Sequence, residues 1–424
     1  MNYKIKSDIA VFFRRNFGSI SALAAWGFNA GIYLTIAGLF TSRFLISCGM
    51  IVMGCASLLY MTTLSKKAIK EKYRAGKPVL FAVILLVASV LSSFACSEEI
   101  GFAVIRLKLY AGFLLIPLVV FFSPPVSRAH LKNYFLYALC GAIFTSILIQ
   151  IIYYREFEVL SSRMRMGQPL PTPVPHIRYG MFVCFAFLGG IYAILNRLFE
   201  GKWFLFVLIS ALYLGISILL LSVRTAWMIT FAGMILIFLR FIIGKGKKVL
   251  IIPILLLLIS VFTGAYFLIP SVRFKIDYMR YDWHRYRSGE GSSYSDSERV
   301  YSLQNGWQIW KDNKWFGVGS GDLHTELKKN SVRNGIPTDQ IPHNQFLVTA
   351  ACGGILSLVL FIMAWILLFR EPRHRKVFIF NLVITLYLLT FLFEPTFETS
   401  LGVLSFVFIT SMILIPVYRR DETA

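Results

Sequence analysis

Charge is scarce in this chain of 424 residues. Asp, Glu, Lys and Arg make up 15% of it, where a soluble domain carries roughly 25%. With 57% hydrophobic residues and a mean hydropathy of +0.68, that shortage excludes an ordinary water-soluble globule. Grouped cysteines are lacking as well. Cys48, Cys55, Cys140, Cys184 and Cys352 stand singly within apolar runs and Cys96 lies at the end of one. No CxxC occurs, so neither a disulfide framework nor a zinc site is signalled, and no metal is expected. Alternating segments of about 10 residues, the mark of a membrane β-barrel, are missing too. No cleavable signal peptide is evident, and the basic start before a long apolar run reads as a retained anchor.

Continuous apolar runs fill the chain instead. Each spans about 20 residues, enough to cross a hydrocarbon core of about 30 Å as a helix. Twelve spans are expected, near 19–40, 43–64, 78–95, 102–122, 131–154, 177–196, 203–221, 222–243, 248–269, 344–369, 377–393 and 400–418. The fold class is therefore an all-α polytopic membrane protein, with 1–424 forming one membrane domain. Almost no polar break separates the seventh span from the eighth.

The formal charge of +22 invites a nucleic-acid reading, but topology accounts for it better. With both termini in the cytoplasm, 24 of the 43 Lys and Arg fall in inner segments. The short outer connections 96–101 and 394–399 carry only acids: Glu98 and Glu99 in one, Glu394 and Glu398 in the other. This agrees with the positive-inside rule, so no nucleic-acid partner is expected. Glu394 and Glu398 offer acids or sugar-binding groups, but read first as topology signals.

Two outer segments are long. Residues 155–176 end in Gln168-Pro169-Leu170-Pro171-Thr172-Pro173-Val174-Pro175-His176, where alternate prolines predict a stiff extended strap. Residues 270–342 are too long for a structureless loop and should form a lid or small folded unit. Within it, 271–287 mixes aromatics with Arg and Lys and suits a membrane interface. Ser295 to Glu298 fits a capping box opening a helix to about 313, with Arg299, Leu303, Gly306 or Trp307, and Trp310 on one face. A further short helix is expected near 322–330. The Gly317–Gly321 run is glycine-rich but lacks a Walker lysine and a Rossmann context, so it reads as a turn.

Few residues in this apolar background suit chemistry. His343 closes the 270–342 loop where an apolar helix begins, between Pro342 and Asn344-Gln345. An imidazole titrates near neutrality and suits general-base work, although a histidine that merely caps the helix would look the same. Gly353-Gly354 follow on that helix, where small residues permit close packing. Arg224, in Ser222-Val223-Arg224-Thr225-Ala226-Trp227, opens the eighth span. A cation there costs about 2.5–3.5 kcal/mol at a helix centre, so it requires a task, a partner or a path to the surface. Arg106 and Lys108 lie near the outer end of the fourth span, and His176 and Arg178 at the start of the sixth.

Together these features resemble the O-antigen ligase and polymerase superfamily of bacterial envelope enzymes. The resemblance is carried by the twelve-span layout, the large loop between the ninth and tenth spans, and Arg224 in SVRTAW. The loop pattern completes it, running from Arg299 through Trp307 and Gly317-Val318-Gly319 to His343-Asn344 and Gly353-Gly354. It is most specific over about 220–360 and elsewhere rests on hydropathy. It implies a metal-independent, inverting glycosyltransferase of the bacterial inner membrane, without cofactor, whose site faces the periplasm. The donor would be a glycan on undecaprenyl diphosphate and the acceptor lipid A–core oligosaccharide or a growing glycan, with membrane lipids around. His343 would be the base, and Arg224 and Arg299 would hold the diphosphate. Arg106, Lys108, His176, Arg178 and Asn344 would be secondary contacts. Arg273, Arg280, Arg285, Arg287 and Arg333 in the same loop compete with Arg299 for the second phosphate position.

Three rival readings share the hydropathy profile. One is a polymerase joining undecaprenyl-linked repeat units, and another transfers glycan to protein. The third is a transporter of lipid-linked glycan. Transporters often show inverted repeats and midplane charges; no convincing repeat is seen, and the polar chemistry gathers at the outer edge.

Overall fold

Short polar side chains open the helices. Ser19 accepts a hydrogen bond from the Ala22 N–H, Ser65 from Ala68, Ser127 from His130 and Asn344 from Leu347. Each satisfies one of the N–H groups that a helix start leaves without a partner. Beyond each cap the chain stays apolar for long stretches, and the backbone meets its own hydrogen-bonding needs as helix, as a hydrocarbon solvent demands. The computed structural model describes residues 19–246, 248–289 and 295–419, and no strand occurs among them.

Eleven helices among the described residues are long and apolar enough to cross a membrane. They are Ile20–Thr41, Arg43–Met61, Lys66–Phe94, Ile100–Phe122, Arg128–Arg155, His176–Leu195, Gly201–Leu221, Arg224–Gly244, Ile251–Leu268, Gln345–Arg370 and Ser400–Arg419. The chain is thus an all-helical polytopic membrane protein. Large apolar side chains such as Ile252, Leu256, Leu257 and Phe267 remain outward on the peripheral Ile251–Leu268 helix, as a lipid-facing surface requires. The break between the seventh and eighth spans is made by Ser222. It adopts a left-handed conformation (φ 53°) with its hydroxyl donating to the Leu219 carbonyl, and Arg224 then starts the next helix.

The expected span 377–393 is shorter than predicted. Its helix, Phe378–Phe391, has 14 residues, or about 21 Å at 1.5 Å per residue. The cause is the connection that follows. Residues 392–399 fold into the bundle instead of away from it. Phe397 is fully buried, with ring centroids 4.8 Å from Phe391 and 5.3 Å from Phe406. Aromatic pairs of this kind contribute about 0.5–1.5 kcal/mol beyond area burial, and they pin the connection from within.

Residues 270–342 form a helical unit, comprising Pro270–Arg287, Ser295–Asp312 and Leu323–Asn334. Asp282, from the preceding helix, accepts from the backbone of Asp296 at 2.6 Å and from the Ser297 hydroxyl at 2.5 Å, while Glu298 accepts from Gln340. The Ser295 side chain and the basic residues before position 19 lie outside the described residues. Segment 155–176 is a strap only in part. Residues Phe157–Arg165 are helical, and the proline run after them buries Leu170 and Val174.

Candidate active site

His343 is seated by three neighbours. Pro342 is buried against Gly306, where a Cβ would overlap the proline ring. The His343 N–H donates to the Ser302 hydroxyl at 3.4 Å. Asn344 caps the next helix, accepting from Leu347 at 2.9 Å, and its amide donates to the Leu392 carbonyl at 3.3 Å. Asn344 therefore positions the histidine and fastens it to the 392–399 connection. The buried position of the Ser295–Asp312 helix is Gly306; Trp307 is 55% exposed and points away.

That connection supplies the partner of the imidazole. Glu394 Oε2 lies 3.7 Å from His343 Nδ1, an ion-pair distance too long for a hydrogen bond. Nδ1 is buried without a hydrogen-bond partner, which in a native interior calls for an explanation. Glu394 Oε1 accepts from Arg299 Nη2 at 2.6 Å. One carboxylate thus joins the histidine to an arginine 44 residues earlier in the chain. Burial pushes the Glu394 carboxyl up, but His343, Arg299 and Arg178 outweigh it and hold it below its ordinary value.

Cations gather on the same side. Arg224 pairs with Asp296 and feels the charges of Arg299 and Glu394. His176 is within electrostatic reach of Glu394, Lys275, Arg299 and Arg224. Lys275 donates to the Gly167 carbonyl at 3.2 Å. Burial, then the charges of Arg224 and Arg299, push Lys275 down to about 8 from its usual 10.5. Among the other loop arginines, Arg273 is exposed and Arg285 lies over the Tyr281 ring, 5.9 Å from its centroid. Arg280 lies on the exposed face beside Tyr266 and Asp277, and Arg287 stacks over Trp283. Arg333 is exposed. Arg299 is the loop arginine that Glu394 joins to His343.

A second, deeper network props up the first. Arg106 donates to Glu398 at 2.8 Å. Gln345 donates to Glu398 at 2.9 Å and to the Tyr110 hydroxyl at 3.2 Å, and its carbonyl accepts from the Phe397 N–H at 2.7 Å. Arg178, buried, reaches the Thr396 hydroxyl at 3.4 Å. Arg106 and Arg178 therefore hold the 392–399 connection from below. Lys108, two residues from Arg106, is exposed on another face of its helix and outside both networks.

The glycine run and Gly353-Gly354 meet each other. The Gln345–Arg370 helix breaks at Gly353 and Gly354, whose φ is 64°. The break frees backbone groups on both sides: the N–H groups of Val318 and Gly319 donate to the freed Ala351 and Cys352 carbonyls at 2.9 and 2.8 Å, and the freed Ile355 N–H donates to the Lys314 carbonyl at 2.8 Å. A Cβ on Gly354 would overlap the Trp315 carbonyl. The run is a docking turn, as its lack of a lysine suggests, and its amides are spent within the fold. Asp322, just beyond, accepts from the backbone of Glu98 and Glu99 at 2.7 and 2.9 Å.

The structure brings together His343, Arg224, Arg299 and His176. It adds Lys275, which sequence reasoning passed over, and sets Glu394, read there chiefly as a topology signal, against His343 and Arg299. The available signal for Glu394 was a pair of acids four residues apart in a connection without bases, on the side where several arginines need counterions. No comparable signal marks Lys275 among the 11 basic residues of its loop.

Residues 209–362 match a family model described as O-antigen ligase. The stretch contains Arg224, Lys275, Arg299 and His343; Arg106, His176, Arg178 and Glu394 lie outside it. A comparison with curated proteins finds no match.

Proposed function

We propose, from an O-antigen ligase family domain at residues 209–362, that this chain is a glycosyltransferase acting on lipid-linked glycan. It moves a glycan from undecaprenyl diphosphate to lipid A–core oligosaccharide at the periplasmic face of the bacterial inner membrane. The observation that carries this reading is the Arg299–Glu394–His343 contact, with Arg224 and Lys275 beside it.

The chemistry follows from the contacts. With its Nδ1–H turned to Glu394, His343 presents Nε2 as a proton acceptor, and the carboxylate stabilises the imidazolium that forms. Nε2 takes the proton of an acceptor hydroxyl as that oxygen bonds to the anomeric carbon of the donor. The bond from that carbon to the phosphate oxygen breaks, and undecaprenyl diphosphate leaves with its electron pair. Negative charge grows on the leaving group, and the guanidinium forks of Arg224 and Arg299 match phosphate oxygens bidentately. Donors fixed before the reaction stabilise that charge without reorganising, often the largest catalytic contribution. In the free protein Asp296 and Glu394 hold these arginines in place.

Purified protein with undecaprenyl diphosphate glycan and lipid A–core should yield ligated product, and Arg224→Ala or Arg299→Ala should abolish it. A deletion strain with polymer retained on the lipid carrier fits the ligase. Loss of chain extension instead would make the enzyme a polymerase with the same site.

A further inference from the structure

The imidazole of His343 has two sides. Nδ1 lies 3.7 Å from Glu394 Oε2, while His343 also lines an open cavity of about 630 Å³ between the 270–342 unit and the helix that begins at Ile100. Arg224, Lys275 and Arg299 do not line it. A volume in the range of small-molecule sites, about 300–1,000 Å³, with Lys328 as its one lysine or arginine, therefore sits beside the base and apart from Arg224, Lys275 and Arg299.

Its walls have a definite chemistry. Phe102 contributes an aromatic ring that is 53% exposed, 6.4 Å from the His324 ring. Asp339 and Gln340 line it from the irregular segment just before His343, and Thr325 adds a hydroxyl. These walls are braced. Gln340 donates to Glu298 at 2.5 Å and Thr325 to Glu99 at 2.7 Å. A pyranose presents hydroxyls at its rim and a C–H face, so it pairs with carboxylate and amide groups at the edge and an aromatic ring beneath.

We propose that the cavity lined by Phe102, His324, Asp339, Gln340 and His343 is the acceptor subsite, taking the terminal sugar of the acceptor glycan with one hydroxyl at the His343 ring. The proposal rests on the reading of His343 as the base. It gives the two substrates separate approaches: the diphosphate donor from the Arg224–Arg299 side, the acceptor sugar from the cavity. Asp339 is the ligand for neighbouring hydroxyls and Phe102 the stacking platform. Both are binding residues, since the proton and the leaving group are handled elsewhere.

The test is steady-state kinetics of the purified full chain. Donor and acceptor are varied separately, with lipid A–core and an undecaprenyl-linked repeat unit as two acceptor arms. Phe102→Ala and Asp339→Asn should each raise the KM of the productive acceptor about tenfold, the effect of losing one hydrogen bond to a charged group or an equivalent contact. Donor KM should stay at the wild-type value. Phe102→Trp should restore the acceptor KM, which a merely structural role would not predict. If Phe102→Ala does not fold, Phe102→Leu keeps the apolar bulk without the ring face and carries the same comparison. Unchanged acceptor KM in both variants, or a rise in donor KM instead, overturns the subsite. A wild-type protein that transfers to neither acceptor overturns the underlying reading of the function.

Discussion

Glu394 Oε1 lies 2.6 Å from Arg299 Nη2. The second oxygen of the same carboxylate faces His343 Nδ1 at 3.7 Å, so one residue contacts both the proposed base and the arginine proposed to bind phosphate. The contact spans the insertion and the connection before the last helix, which makes it the junction of the site.

Glu394→Gln should therefore lower kcat by about 10²-fold or more, within the range of general-base contributions. Donor KM should not rise, because a negative charge beside the diphosphate has been removed. A rise in donor KM with intact kcat would assign Glu394 to binding. The carboxyl is held below its ordinary value of 4.5. Its stabilising contribution is thus fully present above that value and is lost as pH falls through the lower folded value. Thermal unfolding in detergent should show an acid-side loss of stability that is smaller in Glu394→Gln.

Arg224→Lys and Arg299→Lys should both be costly. Lys is a point charge and cannot reproduce a fork. Arg224→Ala and Arg299→Ala should harm turnover at least as much as His343→Ala, since the base contributes about 10²–10⁴-fold alone. Full turnover in either lysine variant would mean that charge suffices there.

Lys275 gives the donor a pH dependence. Its folded value is about 8 against 10.5, because burial and the neighbouring guanidiniums disfavour the charged form. Below pH 8 it is charged in the free enzyme and ready for an anion. Above pH 8 it is neutral, and donor binding must be accompanied by proton uptake. Donor KM should rise above pH 8, by up to about tenfold per pH unit for one proton. Lys275→Gln should raise donor KM at pH 7 and flatten that alkaline rise. An unaltered profile in this variant would remove Lys275 from the donor site.

Gly306→Ala should act at a distance of one contact. The added methyl overlaps Pro342, so the backbone that presents His343 must shift. A misplacement of about 1 Å can cost about 10²-fold. The variant should reach the membrane in normal amount with kcat reduced at least about tenfold. Gly354→Ala adds strain at a positive φ and a clash with Trp315, costing about 1–3 kcal/mol, and should lower thermal stability as well.

Much of the layout was legible in the residues. Apolar runs located the helices because a hydrocarbon solvent leaves the backbone few alternatives, and residues 270–342 showed themselves as the longest polar stretch. Arg224, Arg299 and His343 stood out because polar groups are rare around them. The rest was not local. Glu394 and Glu398 read as topology marks until folding set them against Arg299 and Arg106, and the inward fold of 392–399 cut short a helix that hydropathy alone extends. The glycine run and Gly353-Gly354 each looked like a separate turn or packing site. Only their spatial meeting shows that one supplies amides to the carbonyls freed by the other.

Transfer assayed in vitro tests the central claim most directly. Purified wild type, Arg224→Ala, Arg299→Ala and His343→Ala are given undecaprenyl diphosphate glycan and lipid A–core in the presence of EDTA. The account predicts metal-independent product from the wild type and near-complete loss in all three variants. Normal transfer by either arginine variant, or transfer that stops when EDTA is added, would contradict it.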